Sequence, residues 1–64
     1  MNNTMPTELD KALQLVTDAS RRARAAKTIG PTQHLKAIRR ALAAAEAAQA
    51  LGATDAQIQT AMEA

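Results

Sequence analysis

The sequence predicts an all-α protein: an antiparallel helical hairpin with a short third C-terminal helix, packed as a homodimer. Apolar residues recur every three or four positions through two long stretches. Gly30-Pro31 and Gly52 interrupt this pattern, and alanine, the best helix former, supplies 17 of the 64 residues. We expect a flexible N-terminal tail over residues 1–6 and one small helical domain over residues 7–64, with helices at about 7–28, 32–51 and 55–63.

The first helix is predicted by its start signal and by its apolar stripe. Thr7 and Asp10 form a variant capping box, in which each side chain accepts a hydrogen bond from a free backbone N–H of the other residue. Gly30 is expected to end the helix in a left-handed conformation, and Pro31 cannot continue its hydrogen-bond ladder. The stripe consists of Leu9, Ala12, Leu13, Val16, Ala19, Ala23 and Ala26.

The second helix is predicted to start at Pro31 or Thr32 and to end near Leu51. Alanine dominates residues 41–50 on all sides. This run indicates either helix propensity alone or close helix packing on more than one side of the helix. The stripe consists of Leu35, Ile38, Ala41, Leu42, Ala45 and Ala48. We expect the centres of the two stripes to be the most buried positions: Leu13, Val16, Ile38 and Leu42.

A third, shorter helix follows Gly52. Thr54 is its predicted N-cap, and Gln57 completes a second capping box. A segment that ends near Glu63 is too short to be a stable helix by itself. It must therefore dock its apolar side on the hairpin, through Ile58, Ala61 and Met62.

The apolar composition gives a weak core. Only 13 of the 30 hydrophobic residues are larger than alanine, and the chain has no aromatic residue and no cysteine. Small domains with so little core are usually stabilised by disulfides, metal ions or self-association. The first two are not indicated here, so the sequence favours a homodimer.

Positive charge is concentrated around the predicted hairpin turn. Residues 20–40 hold seven of the eight Lys and Arg residues and no Asp or Glu, although the net charge is only +2. An antiparallel hairpin brings these residues together at one end, which we call the basic pole. The opposite end is expected to hold Glu8, Asp10, Glu46, Asp55 and Glu63. The basic pole consists of Arg21, Arg22, Arg24, Lys27, His34, Lys36, Arg39 and Arg40.

The basic pole admits two interpretations: a solvated surface, or a site for an acidic or polyanionic partner. We interpret the chain as a small non-enzymatic regulatory or interaction protein that binds a protein partner through the basic pole or its Ala-rich helix faces. The alternative is a DNA- or RNA-binding accessory protein that contacts phosphates through the same pole. Base stacking is not available to it, because no aromatic residue is present.

The stretch AAQALGATDAQIQTAM has features of a helix-turn-helix: small residues, a Gly turn, a polar cap and an Ile in the following helix. The helix that would enter the DNA groove carries Asp55 and Glu63 but no Lys or Arg. Its charge has the wrong sign for a phosphate-lined groove. The stretch is therefore interpreted as a structural corner.

Other chemistries are not indicated by the residues. His34 is the one histidine, no Ser-His-Asp set can assemble around it, and neither glycine belongs to a phosphate-binding loop. We expect no catalytic residue, no cofactor, no metal ion and no small-molecule substrate. We also expect no membrane partner, since no stretch is apolar enough to span a bilayer and an interfacial helix would lack Trp and Phe. The N-terminal residues have no signal-peptide pattern, and a cytoplasmic location is expected.

Overall fold

The computed structural model describes residues 7–64 and contains three α-helices. Helix α1 spans Glu8–Ala26, α2 spans Pro31–Ala50 and α3 spans Asp55–Glu63. The part of the chain that is described contains no strand, and α1 and α2 pack closely against each other. The all-α prediction is thus confirmed. The expected N-terminal tail, residues 1–6, lies outside the described residues.

Both predicted capping boxes are present. The Thr7 hydroxyl accepts a hydrogen bond from the Asp10 N–H at 3.1 Å, and the Thr7 N–H donates to the Asp10 carboxylate at 3.3 Å. Thr54 and Gln57 form the same reciprocal pair at 3.1 and 2.9 Å. Each box satisfies two backbone donors that the first turn of a helix otherwise leaves free.

The connector between α1 and α2 differs from the expectation. Gly30 does not adopt a left-handed conformation: its φ of 162° and ψ of 161° are extended, and it serves as the N-cap of α2. The cause is Pro31, which disfavours a helical conformation in the preceding residue and occupies the first position of α2. The end of α1 is instead closed by the Ile29 and Gly30 N–H groups, which both donate to the Ala26 carbonyl.

The connector between α2 and α3 does use a left-handed glycine. Gly52 has a φ of 105°. Its N–H donates to the Gln49 carbonyl, and the Ala53 N–H donates to the Ala48 carbonyl, both at 3.0 Å. This is the Schellman arrangement, and Ala53 and Ala48 are also buried together in the core. The turn sends the chain back along the hairpin.

Helix α3 covers one side of the hairpin and packs mainly on α1. The expected docking of Ile58, Ala61 and Met62 is confirmed, since all three pack in the main core. That core joins the first half of α1, the second half of α2 and α3. Its buried members are Ala12, Val16, Ala48, Ala53 and Ala61, with Leu9, Leu13, Ala44, Ala45, Ile58 and Met62 packed around them.

The prediction that the centre of the second apolar stripe is among the most buried positions is wrong. Of the four positions expected to be most buried, only Val16 is fully buried. Leu13 and Ile38 are half-buried. Leu42 is 51% exposed, and Leu35 of the same stripe is 50% exposed. The buried residues of α2 are instead Ala41 and Ala48. Leu42 lies about 100° around the helix from Ala41, so its side chain leaves the seam between the two helices.

Alanine allows the close packing of α1 on α2. Ala23 and Ala26 on α1 are buried, as are Ala41 and Ala48 on α2. Side chains that are single methyl groups permit two helix axes to approach more closely than leucines would. The outer alanines of α2 at positions 43, 47 and 50 are exposed, so close packing is present on one side of α2.

Candidate partner-binding surface

The residues of the basic pole lie on three different parts of the surface. Arg22, Lys36 and Arg40 line a groove between α1 and α2. Arg24 and His34 line a second, smaller depression. The remaining three members are exposed and border neither depression: Arg21, Lys27 and Arg39.

The groove lies on the side of the hairpin that α3 does not cover. Leu15 and Arg22 are seven residues apart and share one flank of α1. Arg24, which bonds to the end of α3, is two residues beyond Arg22 and therefore about 200° around the helix. The groove is lined by Leu15, Asp18, Ala19, Arg22, Ala26, Ile29, Gln33, Lys36, Ala37 and Arg40.

Two large aliphatic side chains lie exposed in the groove. Leu15 is 60% exposed and Ile29 is 72% exposed. Neither residue stands out in the sequence pattern: Leu15 lies just outside the apolar stripe of α1, and Ile29 belongs to the stretch that stops this helix. An aliphatic residue that flanks a stripe without belonging to it was the signal that could have identified Leu15.

The cations of the groove have no carboxylate partner in the described part of the chain. Within residues 7–64 the one ion pair joins Glu8 and Lys11 at 3.9 Å, outside the basic pole. One carboxylate, that of Asp18, lines the groove, and it accepts a hydrogen bond from the Gln14 side chain at 3.3 Å. The groove therefore combines exposed apolar surface with three cations that form no ion pair within the described range.

Arg24 contributes to the fold rather than to the groove. Its guanidinium donates to the backbone oxygens of Met62 and Ala64, both at 2.6 Å. This contact shows that α3 runs from the far end of the hairpin back towards the basic pole. The expectation that Glu63 lies at the far end is therefore wrong, because its two neighbours are bound to Arg24.

His34 also has a structural contact. Its Nδ1 lies 2.9 Å from the Ala23 carbonyl oxygen. A carbonyl oxygen only accepts hydrogen bonds, so Nδ1–H is the donor. The half-buried imidazole thus ties the start of α2 to the end of α1.

The second depression contains an unusual polar group. It is lined by Ser20, Arg24, His34 and Met62, together with aliphatic residues of α2. Ser20 is buried, and its hydroxyl is the one buried side-chain polar atom without a hydrogen-bond partner among residues 7–64. Burying an unpaired hydroxyl costs free energy.

Residues 7–64 contain neither a metal-binding group nor a membrane-spanning helix. No three His, Cys, Asp or Glu side chains form a group that could hold a metal ion. None of the three described helices is long and apolar enough to cross a membrane.

Comparisons of the chain with known protein families, curated proteins and solved structures find no match. Function must therefore be inferred from the chemistry of the groove and of the basic pole around it.

Proposed function

We propose that this chain is a small regulatory or interaction protein that acts by binding an acidic protein partner rather than by catalysis. The contact is made by the groove between α1 and α2, together with the three cations that line it. The observation that carries the proposal is the combination of Leu15 and Ile29, both largely exposed, with Arg22, Lys36 and Arg40, which have no carboxylate partner among residues 7–64.

The aliphatic residues favour a protein partner over nucleic acid. Burial of a largely exposed Leu or Ile side chain contributes roughly 1–2 kcal/mol to binding, which a phosphate backbone cannot exploit. An exposed ion pair contributes only about 0–1 kcal/mol. Apolar contact would therefore supply most of the affinity, and the cations would select an acidic partner and speed its association.

Nucleic acid remains the alternative for a specific reason. Arg21, Lys27 and Arg39 are exposed outside the groove, where they add positive charge without apolar surface. Phosphate contact uses such cations regardless of the groove. The two candidates thus differ in whether the three outer cations matter as much as the three cations of the groove.

Two matched triple variants separate the candidates. One replaces Arg22, Lys36 and Arg40 by Glu, and the other replaces Arg21, Lys27 and Arg39 by Glu. Each removes two Arg and one Lys, so the net charge falls equally. In affinity capture from the native host lysate, with and without nuclease, we expect the groove triple to lose its protein partner and the outer triple to retain it.

The results that would favour nucleic acid are equally defined. A polyanion should respond to both triples to a similar degree, and its capture should vanish after nuclease treatment. Its affinity should also fall steeply with salt, by about 0.9 log units per phosphate neutralised for each tenfold rise in salt. Circular dichroism of both variants checks that the helices remain folded.

We also propose that the chain forms a homodimer through α2. Leu35 and Leu42 are half exposed and lie seven residues apart on one side of α2, which is the spacing of a helix–helix seam. In an antiparallel pair centred near Leu42, Arg39 of each copy lies beside Glu46 of the other. Sedimentation should show a dimer that Leu42→Glu disperses and Ala43→Glu preserves, whereas a monomeric parent chain at high micromolar concentration would contradict the proposal.

A further inference from the structure

We infer that the groove binds an acidic amphipathic α-helix of another protein, which lies along α1 and α2 as an added helix. This inference rests on the proposed function and specifies what the partner presents. The groove runs between two neighbouring helices, on the side that α3 leaves open. Grooves of this kind, with an apolar floor between packed helices, are where amphipathic helices dock.

The groove has the length of a short helix. Its lining on α1 extends from Leu15 to Ala26, a separation of 11 residues. At ~1.5 Å per residue this corresponds to ~17 Å. A partner helix of about three turns would therefore cover the groove from end to end.

The floor has room for the side chains of such a helix. Ala19, Ala26 and Ala37 line it, and Leu15 and Ile29 add larger aliphatic surface. Small residues allow a helix axis to approach closely, so Leu, Ile or Met side chains of the partner can pack above the alanines. The chain already shows this mode of packing where α3 docks on the other side of the hairpin, since Ile58 and Met62 pack against a buried cluster that consists mostly of alanines.

The charges predict the residues that flank the apolar face of the partner. Arg22 belongs to α1, whereas Lys36 and Arg40 belong to α2, so cations stand on both sides of the groove. The complementary helix carries Asp or Glu along both edges of its apolar face. Close to Asp18 it carries a neutral or basic residue instead, because like charges repel there.

A second copy of this chain does not fit the groove. Of its described helices, α3 is the acidic one, with Asp55 and Glu63, but its apolar face already packs in its own core. Helices α1 and α2 carry the cations of the basic pole and would bring like charges together. Charge complementarity therefore indicates another protein.

The test is a selection from a phage library of random peptides of about 15 residues, long enough for about four helical turns, with the full chain as bait. We expect enriched peptides with apolar residues at i, i+3 or i+4 and i+7, flanked by Asp and Glu. Synthetic copies should become helical on binding, by circular dichroism. Their affinity should fall by about tenfold or more for Leu15→Glu or Arg22→Glu. The matched controls, Leu51→Glu and Arg21→Glu, lie outside the groove and should retain binding.

Other outcomes would overturn the inference. These are recovery of no binder, enrichment without acidic residues, binding that Leu15→Glu leaves unchanged, or a bound peptide that is not helical. If the groove triple still loses the native partner while the selection fails, the proposed function stands and only the helical occupant is wrong. If the native partner ignores the groove triple, the proposed function itself fails.

Discussion

The two sides of the hairpin differ in how they are covered. On one side, α3 covers the hairpin and Arg24 binds the backbone oxygens of Met62 and Ala64. On the other side, Leu15 and Ile29 are exposed and the cations have no carboxylate partner among residues 7–64. One α1 helix therefore carries both arrangements, about 200° apart around its axis.

The covered side is expected to determine the stability of the fold, and the open side to determine binding. Residues on the covered side are held by contacts within the chain, so substitutions there should change the free energy of unfolding. Residues on the open side have few such contacts, so substitutions there should leave folding nearly unchanged and act on a partner. Neighbouring positions of α1 test this division directly.

The largest expected effect is at Val16. Val16→Ala removes two methyl groups from a fully buried position and should lower the free energy of unfolding by about 2–3 kcal/mol. Leu15→Ala, one residue away on the open side, should lower it by less than about 0.5 kcal/mol. Urea denaturation measures both. Equal losses would show that the open side is part of the core.

The second largest effect is expected in the connectors, where the same Gly→Ala substitution should destabilise the protein to different extents. Gly52→Ala places a Cβ at a φ of 105° and should cost about 1–2 kcal/mol, because L-residues are strained there. Gly30→Ala enters an extended conformation with nothing within 4 Å of the new Cβ, and should cost below about 0.5 kcal/mol. Thermal melts of the two variants make the comparison. A greater loss for Gly30→Ala would contradict the assigned roles of the connectors.

Substitution of Arg24 tests how much its hydrogen bonds stabilise the docking of α3. Arg24→Ala removes two hydrogen bonds to the end of α3 and should destabilise the protein by about 1 kcal/mol, a value kept low because the side chain is exposed. Amide hydrogen exchange should accelerate in α3 more than in α2. Arg21→Ala removes the same charge without those bonds, and it should leave exchange in α3 unchanged. Similar exchange in the two variants would show that the effect is only electrostatic.

The smallest effect is expected at Ser20, where substitution should raise the free energy of unfolding instead of lowering it. Ser20→Ala removes a buried hydroxyl that has no partner among residues 7–64 and introduces a better helix former, so stability should rise by about 0.5 kcal/mol. Thr17→Ala is the contrast, because the Thr17 hydroxyl donates to the Leu13 carbonyl at 3.2 Å. Chemical denaturation should rank Ser20→Ala as the more stable of the two. A loss of stability in Ser20→Ala would mean that the hydroxyl is bonded in solution.

Local features of this fold could be predicted from the sequence. The capping boxes of Thr7 and Thr54 depend on residues three positions apart, so the sequence alone identifies them. The Gly30 conformation was predicted wrongly because the rule for glycine after a helix was applied without the stronger restriction from Pro31. Leu42 was misplaced because a stripe does not show which of its members faces the neighbouring helix.

Long-range features of the candidate site could not be predicted in this way. Arg24 and Met62 are 38 residues apart, and nothing local signals that they meet. Arg24 and Arg22 are neighbours in the sequence, so both were expected to belong to the basic pole. Their separation depends on the side of α1 that α3 covers, and this follows from the direction in which the Gly52 turn sends the chain.

The alanine core has a consequence for the heat capacity of unfolding. Apolar surface exposed on unfolding raises the heat capacity, by an average of ~12–15 cal/mol/K per residue in globular proteins. Between residues 7 and 64, seven of the eight buried apolar residues are alanines, and Val16 is the other. Unfolding therefore exposes less apolar surface per residue than usual. The stability curve of the monomer should consequently be flat, with stability that varies little between cold and warm conditions.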